Sequence, residues 1–219
     1  MKIKAAIFDM DGTLVDSLML WDVLWADFGE AYLKNKDFRP SKEDDKRVRT
    51  LTLRDAMHLI HENYHIGRDG EELLDRANRM MTDFYSNRVT LKPGVIEFLE
   101  YCKQDGVKMC LATATATDLL HLALDHCGIG KYFSGIFSCG DIGKGKEHPD
   151  VFLLAQKALG EAIGDTWVVE DSLVAIETAT KIGMKTIGIY DRFNYGQDRI
   201  KEIATEYIAE GQTLARLIK

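Results

Sequence analysis

No stretch of these 219 residues approaches the roughly 20 consecutive apolar residues that a bilayer-spanning helix needs. The first apolar run, Ile3 to Phe8, is too short for a secretory signal and leads straight into Asp9 and Asp11. A surplus of positive charge is missing too. The chain has 28 Lys and Arg against 35 Asp and Glu, a net charge of −7. That balance argues against a nucleic-acid partner and leaves room for a small anionic substrate held by local positive charge. Zinc spacing is absent from the four cysteines, Cys102, Cys110, Cys127 and Cys139, which read as reduced thiols of a cytosolic protein. Internal repeats and low-complexity tracts are absent as well. What is present is ordinary globular composition, 46% apolar and 29% charged, in a chain long enough for one domain plus an insertion. The expectation is a cytoplasmic monomer with no membrane or nucleic-acid partner.

Apolar runs at Ile3–Phe8, Val107–Ala112, Thr166–Val169 and Lys185–Ile189 read as buried strands, with weaker strand signals at Gly135–Ser138 and Tyr207–Ala209. Helical periods fall between them, over Val95–Gln104, Asp118–His126, Pro149–Leu159 and Ser172–Ile182. Alternation at this spacing predicts an open, doubly wound α/β domain, a Rossmann-like parallel sheet covered on both faces. From 17 to 91 the rhythm breaks into helical periods without a convincing strand. Leu18, Trp21, Trp25, Phe28 and Tyr32 recur at three- and four-residue steps, and further helices are expected over Thr52–Tyr64 and Gly70–Asn87. Lys34–Arg49, dense in charge, reads as a loop with a short turn. The predicted organisation is a catalytic core of residues 1–16 and 92–219, interrupted by an all-helical insertion of residues 17–91. Lys92-Pro93-Gly94 marks the return to the core.

Chemistry-bearing residues cluster where strands end. Asp9 and Asp11, two apart at the end of the first strand, point the same way, and Gly12 permits a sharp turn behind them. Two such carboxyls can serve as nucleophile and as acid/base in phosphoryl transfer. Taken alone they read as a capped turn with two solvated acids. Thr113 and Ala114 end the second strand, where a hydroxyl and free amides before a helix N-terminus suit a phosphate oxygen. Thr115 or Thr117 could instead simply cap that helix. Lys146, in Gly143-Lys144-Gly145-Lys146-Glu147-His148-Pro149-Asp150, could neutralise a phosphate and an aspartate together, with Lys144 as its local competitor. Glu170 and Asp171 follow Trp167-Val168-Val169 and offer hard oxygen ligands suited to Mg²⁺. Asp171 or Ser172 could also cap the helix that follows. Each signal is modest, but all four fall at the ends of separate strands of one sheet.

This ordered set, with Asp9-Met10-Asp11-Gly12-Thr13-Leu14-Val15-Asp16-Ser17 its most specific part, resembles the haloacid dehalogenase-like superfamily. The resemblance covers nearly the whole chain. The helical insertion is similar to the cap of the branch that holds β-phosphoglucomutase and many small-metabolite phosphatases. The resemblance implies that Asp9 is the nucleophile. Asp11 would be the general acid/base and would offer its backbone carbonyl to Mg²⁺. Thr113 and the Ala114 amide would hold the transferring phosphoryl group, and Lys146 would steady that group and Asp9. Asp171 and Glu170 would complete the metal site, and residues around Asp16–Ser17 and Lys92–Gly94 would act as hinges.

The same resemblance sorts subclasses. Metal-free dehalogenases lack the second aspartate, which is present here as Asp11. Phosphonoacetaldehyde hydrolases need a cap lysine, and Ser17–Leu33 contains none. The mutases carry a histidine where this chain has Trp21, a departure that favours transfer to water and makes Trp21 a specificity candidate. Arg54 resembles the cap arginine that holds the distal phosphate in mutases, or else pairs with an acid on the helix surface. His58, His61 and His65 share one face of the second cap helix and read as its polar outer surface rather than a metal cluster. The expected activity is Mg²⁺-dependent hydrolysis of a small phosphorylated metabolite through an aspartyl-phosphate. A phosphosugar mutase and a catalytically silent binding protein on the same fold are the alternatives.

Overall fold

The computed structural model describes residues 3–49 and 51–218. Its α-helices and strands run β1 (Ala5–Phe8), α1 (Leu20–Phe28), α2 (Lys42–Val48), α3 (Leu53–Tyr64), α4 (Gly70–Asn87), α5 (Val95–Gln104), β2 (Lys108–Thr113), α6 (Thr117–Cys127), β3 (Ile136–Ser138), α7 (Cys139–Ile142), α8 (Asp150–Leu159), β4 (Thr166–Glu170), α9 (Leu173–Lys181), β5 (Lys185–Ile189), α10 (Gln197–Ile203) and β6 (Glu206–Ile208). The chain divides into two compact units, Met1–Leu18 with Val89–Lys219, and Met19–Arg88.

The first unit is built on a six-stranded sheet in the order β3-β2-β1-β4-β5-β6, parallel throughout. This is the Rossmann-like order, in which ligands bind beyond the carboxyl ends of the strands where the winding reverses. A sheet buried on both faces needs strands that are apolar throughout, and Ala5–Phe8 is fully buried along its length. On one face Ala5, Ile7, Cys110, Ala112 and Val168 pack with Phe152 and Ala155 of α8 and Ala175 and Ala179 of α9. Phe8 meets Phe98 of α5 edge-on from the other face, with ring centroids 6.3 Å apart. Phe8 pairs in register with Leu111 and with Val169, so the next residue along each strand opens toward the same edge.

Beyond β1 the chain turns tightly. The N–H groups of Leu14 and Val15 both return to the Met10 carbonyl, and Gly12 sits at φ +75°. The outgoing and returning segments then pair: Asp16 N–H donates to Thr90 O (2.9 Å) and Lys92 N–H to Leu14 O (2.9 Å).

The second unit is helical. Leu24, Trp25, Phe28, Met57, Ile60, Leu73 and Ala77 form its core, with Trp21 and Tyr32 packed against it. A π-helical turn, Gly29–Leu33, extends α1 and explains why the aromatic period runs on to Tyr32. Side chains cap three helices: Ser41 receives the Asp44 N–H, Thr52 that of Asp55, and Asp69 that of Glu72. The segment expected as a loop, Lys34–Arg49, therefore contains α2. Only Val48 of that helix is buried, so it leaves almost no hydrophobic period to read. His65 is likewise not on the α3 face with His58 and His61. It ends the helix in the left-handed conformation at φ 52°.

Candidate active site

The ends of β1, β2 and β4 converge in the sheet-bearing unit with the loop before α8; Lys146, expected at a strand end, lies on that loop because α7 intervenes after β3. Asp9 follows β1 and is buried, and its N–H donates to Val169 O of the neighbouring strand (3.0 Å). Glu170 is the last residue of β4 and Asp171 the next, both almost fully enclosed. One carboxylate oxygen from each of Asp9, Glu170 and Asp171 lies within 4.8 Å of the others. Lys146, from the loop before α8, donates to Asp9 Oδ1 and to Glu170 Oε1 (2.5 Å for the latter). Lys144 is turned away onto Asp150 (2.6 Å).

The charges do not balance. Three enclosed carboxylates face one enclosed ammonium, and a buried charge needs a partner. Burial, with the Glu170 and Asp11 charges, pushes Asp9 up to about 8 despite Lys146. Burial and the charges of Glu170 and Asp9 also hold Asp171 well above the usual carboxylate range. Burial pulls the Lys146 ammonium down, but Asp9 and Glu170 together outweigh it and raise it. A cluster of hard oxygen donors with surplus negative charge fits a small divalent cation, so the residues present can hold Mg²⁺.

The supports of these acids are specific. Glu170 Oε2 accepts the N–H groups of Asp171 (2.7 Å) and Ser172 (2.8 Å), which orients its other oxygen toward Lys146. Asp171 Oδ1 accepts the Thr13 hydroxyl (3.0 Å) and Oδ2 the Asn194 amide (2.8 Å). Gly12 is required here by space as well as by φ, because an added Cβ would overlap the Asp171 carboxylate. Asp11 is placed differently from Asp9. Its side chain stands outside the three-carboxylate cluster, with one oxygen on Ser17 Oγ (2.6 Å) and the other on Thr115 Oγ1 (2.5 Å).

Thr113 is buried at the end of β2, and its hydroxyl accepts the Thr115 N–H (3.1 Å), while Ala114 is exposed at the mouth of the strand. Thr115 is no helix cap, since its hydroxyl is spent on Asp11 and α6 begins at Thr117 without a side-chain cap. Nor does a side chain cap α9. Trp21 and Arg54 belong to the helical unit. Trp21 packs against Trp25 at 5.5 Å between ring centroids, with the Arg49 guanidinium 5.8 Å above it. Arg54 is exposed and pairs with Glu71, which also binds His58 (2.7 Å). Sequence reasoning read Ser17 as part of a hinge and Thr115 as a candidate helix cap, not as partners of Asp11, and gave Asn194 no role. Ser17 and Thr115 lie within or beside motifs already singled out, but Asn194 sits in a loop with no local signal.

The family profile for haloacid dehalogenase-like hydrolase matches residues 3–183. Among curated proteins, a phosphorylated carbohydrates phosphatase of Thermotoga maritima is 29% identical over 196 residues, covering 89% of this chain and 88% of the relative. Protein CbbY of Rhodobacter capsulatus is 28% identical, covering 90% of each chain. Among solved structures, CbbY from Rhodobacter sphaeroides in complex with phosphate superposes with a TM-score of 0.76 at 20% identity, over 99% of this chain and 96% of that one. That likeness is of fold. The chain belongs to the haloacid dehalogenase-like hydrolase family.

Proposed function

We propose that the protein is a Mg²⁺-dependent phosphatase that hydrolyses a small phosphorylated metabolite through an aspartyl-phosphate. The observation that carries this reading is the buried Asp9–Lys146–Glu170 contact beside Asp171, with Asp11 held separately by two hydroxyls. Asp9 is the nucleophile: one of its oxygens forms the bond to phosphorus as the ester P–O bond breaks. Asp11 gives its proton to the departing oxygen, then takes one from the water that attacks the aspartyl-phosphate, releasing inorganic phosphate and restoring Asp9. Thr113 and the Ala114 amide bind phosphoryl oxygens, aided by the N-terminus of α6. Lys146 offsets charge on both Asp9 and the transferring group. Asp9, Glu170, Asp171 and the Asp11 carbonyl are the residues that would hold Mg²⁺, which supplies charge stabilisation to the phosphoryl oxygens when bound.

A phosphorylated sugar is the favoured substrate class, because relatives across nearly the full chain include a phosphorylated carbohydrates phosphatase. A mutase is the second reading, supported by a β-phosphoglucomutase of Bacillus subtilis that is 25% identical over 193 residues. Trp21, in place of the mutase histidine, favours water as acceptor. Phosphate release from a panel of sugar phosphates, with Mg²⁺ and with EDTA, tests the reading. Asp9→Asn should abolish turnover without unfolding the chain, and full activity in that variant would refute the mechanism. β-Glucose 1-phosphate with a bisphosphate primer separates the two readings, since a phosphatase yields inorganic phosphate and a mutase yields glucose 6-phosphate.

A further inference from the structure

Asp171 is restrained on both oxygens, and the two restraints come from different parts of the chain. Thr13 reaches it from the turn after β1, 158 positions away in sequence. Asn194 reaches it from the loop after β5. Its side-chain amide donates both to Asp171 Oδ2 (2.8 Å) and to the Asp171 backbone carbonyl (3.0 Å). A planar amide that contacts both the side chain and the main chain of one residue fixes the plane of that carboxylate as well as its position. Each carboxylate oxygen has two acceptor sites, so a hydrogen bond on one leaves the other for a cation.

The loop that carries Asn194 is itself built to stay in place. Asp191 is buried, and its Oδ1 accepts the Phe193 N–H (2.8 Å) while its carbonyl accepts the Asn194 N–H (3.1 Å). Its other oxygen, Oδ2, binds Lys92 Nζ (2.6 Å), and both partners are largely enclosed, at 15% and 4% side-chain exposure. The Lys92 N–H in turn donates to Leu14 O, beside Thr13. An enclosed ion pair adds little net stability over apolar residues of the same volume. Its evident effect here is geometric: it ties the Asn194 loop to the segment that bears the other Asp171 contact.

We propose that Asn194 is a positioning residue for the metal site, which orients Asp171 toward the divalent cation, and that the Lys92–Asp191 pair latches its loop. The inference rests on the metal reading above. Partners of metal ligands commonly change metal affinity by 10- to 100-fold when removed. Isothermal titration of the metal-free full chain with Mg²⁺ alone is the test, with melting in EDTA as the measure of folding. Asn194→Ala is expected to stay folded in EDTA, melting about 3–12 °C below wild type, yet to bind Mg²⁺ about tenfold more weakly. At saturating Mg²⁺ its kcat should return close to wild type, a split that loss of the nucleophile would not give. Lys92→Met should weaken Mg²⁺ several-fold, and Lys92→Arg should restore it, which keeps the proposal open to refutation even where Asn194→Ala unfolds. Equal Mg²⁺ affinity in wild type, Asn194→Ala and Lys92→Met would overturn the proposal alone. A wild-type chain that does not bind Mg²⁺ would overturn the metal reading, and this inference with it.

Discussion

Gly12→Ala is the sharpest single perturbation of the site, because two separable costs meet at one methyl group. The first is backbone strain: Gly12 has φ +75°, which costs an L-residue about 1–2 kcal/mol. The second is steric, since the new Cβ would overlap Asp171 and stand 2.9 Å from Leu18 Cδ1. Asp171 can move only by giving up contact with Thr13 or Asn194, and a hydrogen bond to a charged group contributes about 1.5–3 kcal/mol. The expected total is roughly 3 kcal/mol, which in a chain of this size corresponds to a fall of about 6–12 °C in melting temperature. Gly106→Ala is the matched control. Its φ is +73°, but nothing lies within 4 Å of the added Cβ, so it should lose only the strain, about 1–2 kcal/mol. Thermal melts of both variants, in EDTA and in saturating Mg²⁺, measure the difference. Wild type and Gly106→Ala should gain equal stability from Mg²⁺, and Gly12→Ala much less, because the proposed metal ligand Asp171 is displaced. If the two variants matched in EDTA and gained equally from Mg²⁺, the argument that Gly12 makes room for Asp171 would fail.

Three further outcomes follow from the same geometry. In EDTA, stability should fall as pH rises from about 4 to 8, because native Asp9, raised to about 8, keeps a proton that the unfolded chain has released. The limiting slope is about 1.4 kcal/mol per pH unit, and Asp171 acts with the same sign. Saturating Mg²⁺ should flatten the dependence, and urea unfolding across this range reads it directly. Thr115→Val removes one of the two hydroxyls on Asp11 and should lower kcat about tenfold with KM little changed, as steady-state kinetics would record. Phe28→Ala, in the fully buried core of the helical unit, should cost about 3–5 kcal/mol by chemical denaturation.

The parallel sheet was legible because strands buried on both faces leave unbroken apolar runs, and the first four runs fall on β1, β2, β4 and β5. Helices α2 and α10 were not, since Val48 and Ile200 are the only residues they bury. The convergence of Asp9, Glu170 and Asp171 could be anticipated from the ends of strands, whereas Lys146 arrives on a loop that follows α7. The support of Asp171 by Asn194 could not, because it depends on the path of a loop 23 positions away. Thr115 shows the limit of local rules. A threonine just before a helix suggests a cap, but a carboxylate brought from 104 positions away takes its hydroxyl instead. Arg54 illustrates the reverse: pairing with a surface acid was one of its two sequence readings, and Glu71 occupies that place.

The place of β1 at the middle of the sheet also sets the order of events during synthesis. Ala5 pairs with Lys108 on one side and with Thr166 on the other, 161 positions further on. At about 5–20 residues per second, the strand that leads into Asp9 emerges from the ribosome about 8–30 s before its second neighbour exists. The helical segment between them has a hydrophobic core of its own and can fold within that interval, which shortens the free chain that must close to bring the strands together. That fully buried apolar strand is thus left waiting for its second partner. That makes the nascent chain, rather than the finished protein, the state most in need of protection from aggregation.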